Sequence, residues 1–211
     1  MSKRNLSVIG DVHGKYDPYK TIIKNYPDTI QVGDMGVGFR HYGGWRDGHP
    51  YENPPHYKMV QTNARFIRGN HDNPTMCQQH SQWIADGTIE DGVMFVGGAY
   101  SIDKQFRNEG YDWWADEEIS YDDMLRILDI YTENKPRVMI THDGPEFMLD
   151  YYLSHHWRIQ TRTGQFFDRL FEIHQPEIWI HGHHHISFDN VIKGTRFIVL
   201  AELEHKFVEI D

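Results

Sequence analysis

The 211 residues predict a single α/β domain. Three observations carry that expectation. The chain opens with a strand–helix–strand pattern, six later apolar runs have the length and composition of short strands, and two further stretches carry apolar residues at helical spacing.

Residues 6–10 (LSVIG) form a short apolar run ending in glycine. Between residues 15 and 26, Tyr16, Tyr19, Ile22, Ile23 and Tyr26 fall on one helical face, and residues 29–33 read as a second strand. Such a unit builds a parallel sheet and leaves polar residues at the carboxyl ends of its strands. Strand-like runs follow at 65–68, 93–96, 137–140, 177–180, 196–200 and 207–210, with helical segments at 121–131 and 164–174. Three stretches look irregular: 37–55, 103–118 with Trp113 and Trp114, and 143–163 with His155, His156, Arg158 and Arg162. Loops of that length in a compact domain serve as lids or binding loops, or are plain surface excursions. No repeat or interdomain linker interrupts the chain, so residues 1–211 are expected to form one domain.

Composition narrows the function classes. No apolar stretch reaches the roughly 18 residues of a membrane span, and the basic start lacks a small-residue cleavage site, so a cytoplasmic protein with no membrane partner is expected. The one cysteine, Cys77, excludes an intramolecular disulfide and a thiolate zinc site. A formal charge of −10 disfavours long-range attraction to nucleic acid. Histidine is the outlier at 15 residues, and its placement is ordered.

Five polar motifs each follow a strand-like run. They are GDVHG (10–14), GDMG (33–36), RGNHD (68–72), THDGP (141–145) and GHHH (182–185). Taken singly, each has a plain structural reading: Asp11 could cap a helix, and Asn-His-Asp could be a turn. Asp11 and Asp34 are 34 − 11 = 23 positions apart, one strand–helix–strand unit, which puts both carboxylates on adjacent strand ends. Alternation along an extended segment would turn His183 and His185 to one side and His184 to the other. Because strand ends of an α/β sheet converge on one crevice, the five motifs together point to a metal centre.

The series resembles the calcineurin-like metallophosphoesterases, in order and over nearly the whole chain. The resemblance implies a sandwich of two β-sheets flanked by helices, an αββα fold, with two divalent metals. By the same resemblance Asp11, His13 and His185 would hold the first ion, Asn70, His142 and His183 the second, and Asp34 would bridge them. His71 is similar to the family's histidine beside the leaving group, and His181 and His184 receive no role.

Two such ions, about 3.5–4 Å apart, share a hydroxide that attacks phosphorus. Two ions bring +4, two aspartates −2 and hydroxide −1, leaving the site positive toward an anionic ester. His71 is the expected general acid, and Asp72 is a candidate for orienting it. A nitrogen and oxygen donor set suits Mn, Fe, Co, Ni or Zn, and the resemblance favours Mn. Arg68 and Arg107 are candidate phosphate contacts, with Arg162 a further one, and Arg68 has a structural reading as well. Trp113 and Trp114 are read either as a base-stacking surface or as cover for the core edge. The expected substrate is a small phosphomonoester, phosphodiester or nucleotide. A serine/threonine-type protein phosphatase, a nuclease and a non-catalytic scaffold are the alternatives. The first is weakened because that branch carries Asp-Arg-Gly shortly after the bridging aspartate, where this chain has residues 35–40 (MGVGFR).

Overall fold

The structure is a computed structural model and describes residues 4–40, 54–153 and 159–210. The expectations placed on 41–53 and on 154–158, His155, His156 and Arg158 among them, lie outside the described residues.

The opening unit forms as expected: β1 (Arg4–Ile9), α1 (Tyr16–Asn25) and β2 (Thr29–Gln31). After it come α2 (His56–Thr62), β3 (Arg65–Phe66), α3 (Pro74–Cys77), β4 (Thr88–Glu90) and β5 (Val93–Val96). The second half contains α4 (Tyr121–Asn134), β6 (Val138–Thr141), α5 (Leu149–Tyr152), α6 (Arg162–Ile173), β7 (Ile178–His181), β8 (Phe188–Ile192), β9 (Thr195–Val199) and β10 (His205–Ile210). A four-stranded sheet has the order β10-β1-β2-β3, and a six-stranded sheet the order β4-β5-β6-β7-β9-β8. The strands β1, β2 and β3 run parallel, as do β5, β6, β7 and β9, while β10, β4 and β8 are the antiparallel members.

Period-two alternation sorts the strand residues into layers. Val8, Ile30, Val93, Phe95, Val138, Ile140, Ile178, Ile180 and Ile198 point inward and form one core between the sheets. Their neighbours point outward. Met94, Val96, Met139, Trp179 and Phe197 pack under α4 and α6, while Ile9 and Phe66 pack under α1 and α2. Because both sheets share the inner core, the described residues make one domain, the four-layer sandwich the motif series implied.

Local chemistry explains the helix starts. Ser120 accepts from the N–H of Asp123 at the head of α4, and Thr161 from that of Gly164 at the head of α6. The edge strand β8 was not legible, because its middle residues are exposed and no apolar run marks it. One expectation is corrected in detail: the ligand motifs follow the ends of strands in two sheets, not one. The first three leave β1, β2 and β3, and the last two leave β6 and β7, so the site lies on the seam between the sheets.

Candidate metal centre

The strand ends bring all seven sequence-predicted ligands together. Asp11, His13 and His185 offer ligand atoms within 4.8 Å of one another, as do Asp34, His142 and His183. A third such group, His13, Asp34 and His71, overlaps both. Asn70 joins the second set, its Oδ1 lying 3.1 Å from His142 Nε2. Asp34 stands between the sets with one oxygen toward each: Oδ2 is 3.7 Å from His13 Nε2, and Oδ1 is 3.4 Å from His142 Nε2.

The backbone is shaped to allow this convergence. Asp34 takes a φ of 57°, and the chain on either side passes through glycines. A Cβ at Gly69 would run into the Asp34 carboxylate, and one at Gly33 into the His142 ring, so each motif needs a glycine for its neighbour's ligand to pass. His183 and His185 also take positive φ, 66° and 53°. They therefore sit on a turn rather than the extended segment expected. The two rings do not act as one face: His183 joins Asp34 and His142, and His185 joins Asp11 and His13. His184 reaches back to Asp143, its Nε2 3.0 Å from Oδ1.

Electrostatics define what the cluster can hold. Burial works against charge on Asp34, yet the neighbouring His142 and His71 keep it well below the usual carboxylate range. Asp11 is lowered in the same way, against burial, by His13 and His185. Burial also opposes charge on His142, but Asp34 raises it to about 10, so in the protein alone a proton sits among the carboxylates. Burial pushes His183 down to about 3, leaving its ring neutral. A cation entering this cluster would displace the His142 proton.

The donor set fits a pair of divalent transition metals. Asp11 Oδ2 is buried without a hydrogen bond, although His185 Nε2 lies 3.0 Å away. His13 Nε2 and His185 Nε2 are themselves 2.9 Å apart. Nitrogen and oxygen lone pairs crowded so closely, with no thiolate, are what an intermediate cation satisfies.

The seam opens into a cavity of about 340 Å³. Its lining includes the ligand side, His71 and Arg107, and an apolar wall of Ile102, Leu149, Leu153 and Ile159. His71 stacks on Phe39 at 4.8 Å, and its Nε2 accepts from Arg107 Nη2 at 3.1 Å. Burial is the main force lowering His71 to about 4, with Arg107 adding to it and Asp34 opposing. The ring is thus neutral at pH 7 in the protein alone.

Four sequence expectations meet the structure here. Asp72 does not orient His71; its carboxylate accepts instead from the backbone N–H groups of Met35, Gly36, Val37 and Gly69, tying two motifs together. Arg68 is not on the cavity lining. It is buried, pairs with Asp86 at 2.8 Å, and donates to the carbonyls of Asp116 and Glu117, contacts that match its structural reading. Trp114 is buried at the core edge, and neither it nor Trp113 lines the cavity. Arg162 lies 3.8 Å from Glu118, off the cavity lining. Sequence reasoning missed Asp143, Ser101 and Glu117. Asp143 lay inside a recognised motif, and Ser101 inside residues 97–104 (GGAYSIDK), a stretch that resembles bacterial and phage-type members of the family, but neither carried a role; nothing in the sequence marked Glu117.

A four-layer sandwich with mixed nitrogen and oxygen ligands at the inter-sheet seam defines the metallophosphoesterase fold. The chain belongs to the calcineurin-like phosphoesterase family, whose profile matches residues 5–187. That family is hydrolytic and typically binds two metal ions. Among solved structures, TT1561 of Thermus thermophilus aligns over 98% of this chain and 99% of its own, at 12% identity and a TM-score of 0.59. Phosphopantetheinyl hydrolase of Mycobacterium tuberculosis aligns over 94% and 89%, at 14% identity and a TM-score of 0.50. GAP50, the anchor in the inner membrane complex of Plasmodium, aligns over 95% and 72%, at 12% identity and a TM-score of 0.50. At such identities the likeness is one of fold. No curated protein matches the chain. Among the described residues no helix is long and apolar enough to cross a membrane.

Proposed function

We propose that residues 1–211 form one phosphoesterase domain that hydrolyses small phosphomonoesters or phosphodiesters, nucleotides included, with two bound transition-metal ions. The single observation that carries the reading is Asp34, buried between two ligand groups with one carboxylate oxygen toward each. Asp11, His13 and His185 would hold one ion, Asn70, His142 and His183 the other, and Asp34 both. Manganese is the first choice on the donor set and the family resemblance, with Fe, Zn, Ni or Co able to substitute. When bound, the ions supply an activated water and neutralise charge on the phosphoryl group.

The chain's own residues do the rest. Arg107 brings a guanidinium to the cavity, where it can meet a phosphoryl oxygen. His71 stands beside it, placed to give a proton to the departing oxygen. A bound anion would draw Arg107 Nη2 away from His71 Nε2 and add negative potential at the ring, and both effects favour the imidazolium. The wall of Ile102, Leu149, Leu153 and Ile159 can shelter an apolar leaving group. The fold is shared by an anchor protein as well as by a hydrolase, so fold alone does not decide catalysis. The complete ligand set and His71 argue against a scaffold, the −10 charge argues against a nuclease, and the single cysteine suits a cytoplasmic enzyme.

The test is a panel of an aryl phosphomonoester, an aryl phosphodiester, a cyclic nucleotide and DNA, each with and without Mn²⁺. Metal-dependent turnover of a small ester, abolished by chelation, is expected. Turnover of DNA alone, or of nothing despite two bound metals, would defeat the proposal.

A further inference from the structure

An asparagine amide can face a cation usefully in one orientation only, with its oxygen forward and its NH₂ behind. In a crowded polar site the two ends have the same shape, so something other than packing must choose between them. Here the choice is made behind Asn70. Its Nδ2 donates to Ser101 Oγ at 2.9 Å, and the Ser101 hydroxyl in turn donates to Glu117 Oε2 at 2.5 Å. Glu117 Oε1 accepts from the backbone N–H of Ser101 at 2.9 Å. All three side chains are buried, at 3%, 2% and 2% exposure, so water does not compete for these bonds.

We propose that Ser101 and Glu117 are positioning residues which fix the polarity of the Asn70 amide and thereby complete the second metal site. The inference rests on the dinuclear reading above. A serine hydroxyl has one proton. With that proton committed to the Glu117 carboxylate, the oxygen can only accept from Asn70, and only the NH₂ end can donate to it. The Asn70 oxygen is then turned toward His142 Nε2, 3.1 Å away among the ligands. Burial pushes the Glu117 carboxyl up, and the two Ser101 hydrogen bonds act to keep it charged.

Arg68 anchors the arrangement from below. Its Nη1 donates to the carbonyls of Asp116 and Glu117 at 3.2 and 2.8 Å, while Nε holds Asp86. Arg68 stands two residues before Asn70 in the chain. The strand end that presents the ligand thus also clamps the loop that orients it. Buried polar chains of this kind act as a unit, because breaking one link leaves a desolvated donor or acceptor at the next.

Substitutions separate polarity from packing. Ser101→Ala removes the acceptor, whereas Ser101→Thr keeps the hydroxyl. Glu117→Gln keeps the shape but offers an NH₂ to Ser101 Oγ, which frees the hydroxyl to donate to Asn70 Oδ1 and reverses the amide. The experiment is calorimetric titration of metal-free wild type and the three variants with Mn²⁺, alongside thermal melts of the metal-free proteins. The wild type should take two ions. Ser101→Ala and Glu117→Gln should keep the first and bind the second about 10–100-fold more weakly, the usual effect of losing an outer hydrogen-bond partner of a ligand. Ser101→Thr should bind both as wild type does.

Equal second-ion affinity in Ser101→Ala and wild type overturns the relay, as does a Thr variant as weak as the Ala one. Should Glu117→Gln fail to fold, the two serine variants still decide. A wild type that takes up no transition metal defeats the dinuclear reading and the relay together. Two ions bound with unchanged affinity in wild type and in every variant defeat the relay alone.

Discussion

The floor of the cavity and its loop wall are built on opposite plans. On the floor the motifs hold one another: the N–H of His71 donates to Asp34, the N–H of His183 to Asp11, and Asp72 accepts from Met35, Gly36, Val37 and Gly69. Most of these contacts join residues far apart in sequence, so Asp11 and Asp34 are each tied to a second motif. The wall is local by comparison. Arg107 is held by Asp103, four residues away, and the exposed Ile102 and Phe106 flank it. Under the proposed function, the contrast assigns metal binding to the fold and selectivity to a loop able to change without disturbing it.

The contrast breaks most completely at Asp34. Asp34→Asn keeps the shape but removes the charge shared by both ligand groups, and we expect loss of both ions and of all metal-dependent turnover. Elemental analysis of the purified variant checks this, and two ions per chain would remove the bridge from the argument. His71→Ala sits at the border between floor and wall. It should lower turnover about 10²–10⁴-fold, the range for a positioned proton donor, with metal content unchanged. A metal-depleted variant would move His71 from the acid role into the ligand set, where its grouping with His13 and Asp34 makes it a candidate.

The same contrast explains what the sequence disclosed. Ligand motifs are legible because a metal demands particular side chains, and because close approach demands glycine beside them, as at Gly33 and Gly69. The layers are legible because inward and outward faces alternate, as in Ile178, Trp179 and Ile180. The roles of Ser101, Glu117 and Arg68 are different in kind. They depend on which loops meet behind Asn70, and no spacing encodes a contact across 117 − 101 = 16 residues of irregular chain. Arg68 is one example: an arginine beside a ligand motif invites a phosphate-contact reading, and its pairing with Asp86 is invisible in the sequence. His183 and His185 show another, since the strand-like alternation that grouped them does not survive their positive φ.

Arg107 gives the smallest effect and the sharpest comparison. Its guanidinium is held by Asp103 at 2.6 and 2.8 Å and lies over the Phe39 ring, so it is presented to the cavity already oriented. Arg107→Gln should raise KM about 10-fold or more, since a charge-assisted hydrogen bond is worth roughly 1.5–3 kcal/mol, and leave metal content unchanged. Two effects contribute to that loss: the missing grip on phosphate, and repulsion from an Asp103 carboxylate stripped of its partner. The second is expected to be real, because the Arg107 hydrogen bonds hold Asp103 below its ordinary range against its partial burial. Pairing Arg107→Gln with Asp103→Asn separates the two. If repulsion dominates, the double variant recovers most of the lost KM. If grip dominates, it stays near the single variant, and the wall then selects its substrate by attraction through Arg107 itself.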